Sequence, residues 1–428
     1  MCGIAGMVLQ YSETNKEEIL LQMLDAIKHR GPDGSGFYQP NDKVLLGHNR
    51  LSIIDLSDAA SQPMHAYDKS CTVIFNGEIY NYKELREDLK NEYPFRTQSD
   101  TEVILALYKK YGKEMLSMLN GMFSIALWDN NKKTLLLARD RFGVKPLYYS
   151  MCEGNFYFSS EIKALWKAGI PKEKNLKVWA KYLTSGSYGL PHETFWNNIY
   201  QLPAGHYCEL DINDDFINTF NKKIICWYNF IENISKTPQL NINELSEAYL
   251  TILKDSVKLR FRSDVPIGFN ISGGLDSSIL LAMVNNEYPD NKAIEAFTFY
   301  TGHPDYDELP WVEQLISISH NPLNKCLLKA EDIPALIQQI SYFQDEPFGG
   351  FPTLAYSLIF KKGKEKGIKV LLDGQGLDEA WAGYDYYQTQ SQHIIQGVKT
   401  SPVRPEALLP EFIALAEKEI YPKPFESE

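Results

Sequence analysis

The sequence predicts two folded units in succession, an α+β unit with antiparallel sheets over residues 1–205 and an α/β unit with a doubly wound parallel sheet over residues 244–428. In the first unit, short apolar runs follow one another with turn residues between them, which is typical of antiparallel sheets covered by helices. In the second unit, apolar runs alternate with helical patterns, which is typical of a parallel sheet. Residues 206–243 have weak periodicity and many Asn, Asp and Lys residues, so we predict a linker there.

The first unit begins with a helical pattern. Apolar residues between positions 19 and 27 have helical spacing, and the turn-rich stretch 29–34 ends the helix because a residue before proline avoids the α region. Helical patterns recur at 84–89 and 101–111. Six apolar runs have the length of strands, and they are 44–48, 71–75, 123–128, 134–138, 147–149 and 156–158.

The second unit begins with a helical stretch at 244–259. A strand at 267–271, a tight Gly-Gly loop and a helix at 277–284 follow. Further apolar runs at 294–300 and 370–372 predict two more strands, with helices between them. Beyond residue 387 the chain is polar, contains proline and has little pattern.

Composition and charge exclude several classes of protein. The chain has 428 residues and a formal net charge of −12, with no long basic run, so we expect neither nucleic acid nor an anionic membrane as a partner. Its six cysteines form no Cys-x-x-Cys pair, so neither a disulfide framework nor a zinc site is predicted. We find no apolar run of about 20 residues and no signal peptide, and we therefore expect a cytoplasmic protein.

Cys2 directly follows the initiator methionine. Methionine before a small residue is normally removed, so we expect the mature chain to begin with this cysteine. Its thiol would then lie beside a free α-amine, which titrates near pH ~8. A terminal amine is one known means of activating a nucleophile without histidine. Taken alone, the position favours a cysteine with no catalytic role.

Three further stretches carry polar residues: 47–54 with Arg50, 75–81 with Asn76 and 99–102 with Asp100. Taken singly, they fit surface charges and an Asn-Gly hairpin turn. Taken together with Cys2 and with the stretches 29–33 and 139–143, they resemble the class II glutamine amidotransferase domain, of the N-terminal nucleophile type. The resemblance covers essentially all of residues 2–200.

This resemblance implies a role for each residue. Cys2 would attack the glutamine carboxamide with its own amine moving the proton, while the Asn76 side chain and the Gly77 N–H stabilise the oxyanion. Arg50 would bind the α-carboxylate of glutamine through its guanidinium fork, and Asp100 would bind the α-ammonium. The ammonia would pass through an internal channel to a second site. The resemblance also places glutamine contacts at Leu51, Ser52, Ile53, Ile54 and Glu78.

Residues 271–278 read Ile-Ser-Gly-Gly-Leu-Asp-Ser-Ser and lie between a predicted strand and a predicted helix, where backbone N–H groups can bind a phosphate. A Walker A motif is absent from the sequence, so kinase or GTPase chemistry is not indicated. The stretch resembles the loop of enzymes that adenylate a substrate and release pyrophosphate. That resemblance implies Mg²⁺ bound by Asp276 and Asp378. It implies ATP contacts at Ile271, Ser272, Gly273, Gly274, Asp276, Ser277, Phe299, Asp373 and Gly374.

The order of the two units resembles the glutamine-hydrolysing asparagine synthetase family. The resemblance implies that aspartate and ATP form β-aspartyl-AMP and pyrophosphate, after which ammonia yields asparagine and AMP; it also implies a homodimer. Gln375 stands where many members have a glutamate at the acyl-adenylate site, so another carboxylate acceptor remains an alternative. The second unit has about 185 residues, where roughly 300 are expected. A shortened unit that leaves only a glutaminase is therefore a further alternative.

Overall fold

The structure, a computed structural model, describes residues 1–10, 15–212, 224–236, 240–288, 294–378 and 407–417. Three sheets organise these residues. Two six-stranded sheets, both antiparallel, come from the first half of the chain, and a four-stranded parallel sheet comes from the second half. This arrangement confirms the predicted fold class, an α+β unit followed by an α/β unit.

The first half supplies both antiparallel sheets. One sheet has the strand order β10-β8-β9-β1-β3-β2 and the other has the order β12-β11-β7-β6-β5-β4. The elements in chain order are β1 (Gly3–Val8), α1 (Lys16–Ala26), β2 (Gly34–Asn41), β3 (Val44–Arg50), β4 (Met64–His65), β5 (Cys71–Ile79), α2 (Tyr82–Leu89), α3 (Asp100–Tyr111), α4 (Met115–Met118), β6 (Gly121–Asp129), β7 (Thr134–Arg139), β8 (Tyr148–Cys152), β9 (Asn155–Ser159), α5 (Ile162–Lys167), α6 (Leu176–Ser185), β10 (Tyr200–Gln201), β11 (His206–Asp211) and β12 (Ile224–Cys226).

The two sheets pack face to face with helices on their outer sides. Because successive side chains of a strand point to opposite faces, β1 contributes to two cores. Ile4 and Val8 pack against Trp128 and its neighbours between the sheets. Ala5 and Met7 pack with the apolar face of α1 on the outside. This layering buries β1, and Cys2 directly before it is half-buried.

Two strands at the edge of the second sheet differ from the prediction. Residues 206–243 were predicted to be a linker, but β11 pairs with β7 from Tyr207 to Asp211, and β12 pairs with β11. The sheet therefore continues past residue 205. Cys208 and Leu210 of β11 are buried between the sheets. This alternation of buried residues spans only six positions and is followed by Asn- and Asp-rich residues, so it was not recognised as a strand in the sequence. The boundaries of the two units at 205 and 244 stay a prediction.

The second half supplies the parallel sheet, which has the strand order β15-β14-β13-β16. The next two strands along the chain, β14 and β15, lie on one side of β13, and β16 lies on its other side. The strand order therefore reverses between β13 and β16. In α/β folds, ligands bind at the carboxyl ends of strands at such a reversal. The elements are α7 (Phe230–Ile234), α8 (Ile242–Arg260), β13 (Ile267–Asn270), α9 (Leu275–Glu287), β14 (Glu295–Tyr300), α10 (Leu309–Ser319), β15 (Leu323–Leu327), α11 (Ile333–Gln344), α12 (Phe351–Glu365), β16 (Val370–Leu372) and α13 (Pro410–Glu417).

The two halves contact each other through polar groups. Lys163 forms an ion pair with Asp345 at 3.0 Å, and the Trp196 indole donates to the carbonyl of Asp345 at 2.9 Å. A further contact between the two halves is the ion pair between Arg262 and Glu84. Among the helices of the described ranges, none has both the length and the apolar character needed to cross a membrane.

Candidate active site

A pocket in the first half gathers the side chains that the sequence analysis singled out there. Its walls come from the residue before β1, the end of β3, the middle of β5 and the beginning of α3. Ser52 is the exception, because it lines an adjoining cleft that shares Arg50 with the pocket. The predicted residues that line the pocket are Cys2, Arg50, Leu51, Ile53, Ile54, Asn76, Gly77, Glu78 and Asp100.

Cys2 lines the pocket, and hydrogen bonds hold both its side chain and its backbone carbonyl. Its Sγ accepts a hydrogen bond from the Leu51 N–H at 3.4 Å, and the Arg30 Nε donates to the Cys2 carbonyl at 2.9 Å. Burial raises the pKa of the thiol. Burial also lowers the pKa of the chain's α-amine, on Met1, to about 5, which leaves that amine neutral at physiological pH. That amine belongs to Met1, whereas the proton acceptor expected for the thiol is the α-amine of Cys2, which becomes free only when Met1 is removed.

Asn76 presents an unsatisfied amide to the pocket. The side chain is completely buried in β5, and neither its Nδ2 nor its Oδ1 has a hydrogen-bond partner in the described part of the chain. A buried polar group without a partner costs about 1–3 kcal/mol, so such a group is retained where a ligand can satisfy it. The neighbouring Gly77 cannot carry a side chain, since a Cβ there would lie 2.0 Å from the Met122 carbonyl oxygen.

Arg50 is fixed by backbone carbonyls. Its Nη1 donates to the Ser57 carbonyl at 2.8 Å, and its Nη2 donates to the Asp55 carbonyl. Both carbonyls belong to the segment that follows β3, which therefore sets the direction of the guanidinium. A guanidinium held in this way can bind a carboxylate through two parallel hydrogen bonds.

Asp100 begins α3 and also lines the pocket. Its Oδ2 accepts a hydrogen bond from the Ile79 N–H at 2.9 Å. Burial raises the pKa of this carboxyl group to about 6. A positively charged group placed beside it would favour the ionised form, because an opposite charge within a few ångströms lowers a carboxyl pKa. An anchored cation and an anchored carboxylate thus face one pocket, as an amino acid requires.

Lys145 also lines the pocket, although it was not predicted from the sequence. Burial lowers the pKa of its ammonium group to about 8, and burial together with the Asp100 charge raises the pKa of Glu78 to about 7. Lys145 lies two residues beyond the stretch 139–143, and nothing local marks it as a pocket residue. Other lining residues that were not predicted are Met1, Ala60, Gln62, Phe75, Ser99 and Thr101.

The second candidate site lies at the carboxyl ends of β13 and β16. After β13, the Gly274 N–H donates to the Ser272 Oγ and the Ser272 N–H donates to the Ser277 Oγ, both at 3.2 Å. After β16, Gly374 approaches this loop so closely that a Cβ would lie 2.7 Å from the Ser277 nitrogen. The Asp378 N–H donates to the Asp276 Oδ2 at 3.1 Å. The two sequence stretches, about 100 residues apart in the chain, therefore form one surface.

The remaining predicted residues surround this surface. The Asp373 Oδ2 accepts from the Asn270 Nδ2 at 3.0 Å, and the Gln375 Nε2 donates to the Tyr356 hydroxyl at 3.2 Å. Ile271 is buried next to β14, and Phe299 on that strand has its ring near that of Tyr356. The Gly273 N–H donates to the Glu308 Oε2 at 2.8 Å. Residues 379–406, which follow Asp378, lie outside the described residues.

Comparison with known proteins gives the family. Residues 1–221 match the glutamine amidotransferase domain family, and residues 248–419 match the asparagine synthase family. A putative glutamine-hydrolysing asparagine synthetase 2 of Methanocaldococcus jannaschii is 35% identical over 408 residues, which cover 90% of this chain and 76% of that protein. The chain belongs to the glutamine-hydrolysing asparagine synthetase family.

Two bacterial asparagine synthetases are similar over most of the chain. Glutamine-hydrolysing asparagine synthetase 1 of Bacillus subtilis is 33% identical over 96% of this chain and 64% of its own length. Glutamine-hydrolysing asparagine synthetase B of Escherichia coli is 33% identical over 90% of this chain and 65% of its own length. The chain thus spans just under two thirds of the length of these two synthetases.

Asp276 and Asp378 are the residues that the resemblance assigns to a magnesium ion. The Asp276 Oδ2 accepts from the backbone N–H of Asp378, and among the residues that the structure describes no group of three or more His, Cys, Asp or Glu side chains could hold a metal. Mg²⁺ is usually bound by one or two carboxylates together with phosphate oxygens of the substrate. The Asp276 carboxylate, with Asp378 bound to it through the backbone beside the loop at residues 272–278, would suit such an ion.

Proposed function

We propose that this chain is a glutamine-dependent asparagine synthetase that releases ammonia from glutamine in the first half and uses it at an ATP site in the second half. The observation that carries the proposal is the buried, unpaired amide of Asn76 in the same pocket as Cys2. Arg50 and Asp100, fixed on the walls, supply the charges that recognise an amino acid. The family to which the chain belongs supports the same activity.

The first reaction uses this chain's own groups throughout. With Met1 removed, the α-amine of Cys2 accepts the thiol proton as the sulfur bonds to the amide carbon of glutamine. The Asn76 Nδ2 and the Gly77 N–H donate to the oxyanion. The carbon–nitrogen bond then breaks, and the nitrogen takes the proton and leaves as ammonia. Water cleaves the thioester, which gives glutamate and restores the thiol.

The second reaction activates a carboxylate that ammonia alone does not attack. ATP would lie against residues 272–278, and an oxygen of the aspartate β-carboxylate would bond to the α-phosphorus while pyrophosphate leaves. Ammonia then attacks the acyl carbon, AMP leaves, and the nitrogen loses a proton. Asp276 and Asp378 would hold Mg²⁺, which would neutralise charge on the triphosphate. Gln375, hydrogen-bonded to Tyr356, would lie at the acyl-adenylate. The proposal includes a homodimer in the cytoplasm.

Asn76→Ala tests the proposal. Because the amide acts on charge that develops in the transition state, the variant should lower kcat for glutamine-dependent asparagine formation by about 10²–10³-fold. Asparagine formation from added ammonium chloride should be unchanged. Both rates are measured as asparagine and AMP by chromatography.

Asn49→Ala is the matched control for this variant. Asn49 is also a buried asparagine, but its side chain donates to the Leu24 carbonyl at 2.7 Å and lies outside the pocket. It should lose stability without the selective loss of glutamine-dependent activity. An Asn76→Ala protein that is folded and loses both activities equally would contradict the two-site scheme.

A further inference from the structure

The segment that holds Arg50 is itself held by the second half of the chain. We define the glutamine loop as residues 51–57, which follow β3 and provide the two carbonyls that bind the Arg50 guanidinium. Two residues of the second half, Asp264 and Lys369, contact this loop or its immediate support. Neither residue lies in the ATP loop or in the pocket around Cys2.

Asp264 holds the centre of the glutamine loop. Its Oδ2 accepts from the Asp55 N–H at 2.7 Å, and its own N–H donates to the Ile53 carbonyl at 3.0 Å. Asp55 has a φ of 52°, a left-handed conformation that a non-glycine residue adopts only when its surroundings hold it. The carbonyl of this same residue accepts from the Arg50 Nη2. Asp264 is thus separated from the guanidinium by one residue.

Lys369 holds the beginning of the same loop. Its Nζ lies 2.7 Å from the Asp33 Oδ2, and that oxygen also accepts from the Ser52 N–H at 2.8 Å. The Lys369 Nζ also donates to the Ser52 carbonyl at 3.5 Å. The lysine therefore supports the first turn of the glutamine loop through a shared carboxylate and through the backbone.

The two residues occupy equivalent places in the parallel sheet. Asp264 comes three residues before β13, and Lys369 comes directly before β16. These strands are hydrogen-bonded neighbours, and their opposite ends lead into Ile271 and Asp373 of the proposed ATP site. The glutamine loop is consequently attached to the amino ends of the two strands whose carboxyl ends form the second site.

We propose that Asp264 and Lys369 are positioning residues for glutamine, through which the second half of the chain holds Arg50 in its binding direction. This inference rests on the proposed function, since it assumes that Arg50 binds the glutamine carboxylate. That carboxylate takes no part in bond breaking, so its binding is the same in the ground state and the transition state. Loss of the support should raise KM for glutamine and leave kcat nearly unchanged.

The ion pair between Arg262 and Glu84 provides a control for mere contact between the halves. Arg262 lies two residues before Asp264, and its guanidinium also donates to the Tyr80 carbonyl at 2.7 Å. None of these groups touches residues 51–57 in the described contacts. Glu84→Ala therefore weakens the same boundary without disturbing the glutamine loop.

The experiment measures glutamate release by the full chain in wild-type, Asp264→Ala, Asp264→Asn and Glu84→Ala forms. Asp264→Ala should raise KM by about tenfold or more, the effect of losing a hydrogen bond to a charged group. Its kcat should stay within about twofold. The Asn Oδ1 can still accept from Asp55, so Asp264→Asn should recover most of the affinity. Glu84→Ala should have the KM of the wild type.

An Arg50→Ala background shows whether Asp264 acts through Arg50. In that background, Asp264→Ala should cause no further rise in KM, because coupled residues are not additive. If Asp264→Ala does not fold, Lys369→Met provides the same test from the other end of the loop. An unchanged KM in the folded variants, an equal rise in Glu84→Ala, or a full additional rise without Arg50 would each overturn the assignment. A wild-type chain that releases no glutamate would overturn the proposed function and this assignment with it.

Discussion

Replacing Cys2 with alanine is expected to abolish glutamine hydrolysis, with kcat falling by at least about 10⁴-fold, as when a catalytic nucleophile is removed. The variant keeps Arg50, Asp100 and Asn76 in place and so should still bind glutamine. Ammonia-dependent formation of asparagine should continue at the wild-type rate, since the second site makes no use of the thiol. Glutamate release and AMP formation, measured on the same preparation, check both statements.

Cys152→Ala is the control for thiol removal. Like Cys2, Cys152 is a free, half-buried cysteine, but it lies in β8 and outside the pocket. It should keep both activities. Glutamate release that survives in Cys2→Ala, or that is lost in Cys152→Ala, would contradict the assignment of the nucleophile.

Replacing Lys163 with methionine is expected to destabilise the chain by about 3–5 kcal/mol, the cost of leaving a buried charge without its partner. Its Nζ lies between Glu161 and Asp345, and the three side chains are only 6%, 10% and 4% exposed. Glu161 keeps Arg30 at 2.8 Å, but Lys163 is the described cation that pairs with Asp345. Chemical denaturation measures the loss.

The pH dependence of the free energy of unfolding provides a second measurement on Lys163→Met. Burial already raises the pKa of Asp345 in the wild type, where Lys163 opposes that rise. Without the lysine, the folded chain should bind a proton at Asp345 more tightly than the unfolded chain does. Its stability relative to the wild type should therefore recover in part as the pH falls towards the raised pKa.

An exposed pair is the control for the buried one. Lys325 and Glu313 form an ion pair with 44% and 48% of their side-chain surfaces exposed. Solvent screens such a pair, so Lys325→Met should change the free energy of unfolding by less than about 1 kcal/mol. Equal losses in the free energy of unfolding for Lys163→Met and Lys325→Met would show that the buried cluster does not stabilise the contact between the two halves.

The strand pattern could be predicted where apolar residues cluster, as at β5, β6 and β7. It could not be predicted at β1, where all six residues are buried on both faces of the sheet and four of them are glycine, alanine or methionine. A strand buried on both faces does not alternate between polar and apolar residues. Strand β15 was missed because asparagine and lysine occupy its centre, although Asn324 is buried and bonded to Glu295.

The site could be predicted only as far as its residues lie in short local stretches. Asn76, Gly77 and Glu78 are consecutive on one strand, and such a stretch carries its own signal. Lys145 reaches the pocket from a turn that has no such signal. The contact between Asp264 and Asp55 joins residues 209 positions apart, and it brings the loop after β3 against the residues that precede β13, which no local stretch can indicate.

The most direct test of the central claim follows the amide nitrogen of glutamine from the first site to the second. Wild-type chain is incubated with amide-¹⁵N glutamine, ATP, Mg²⁺ and aspartate, and the products are identified by mass spectrometry. The two-site account predicts ¹⁵N-labelled asparagine together with equal amounts of AMP and pyrophosphate. Labelled ammonia and glutamate without AMP would contradict it, and would leave a glutaminase whose second half does not activate aspartate.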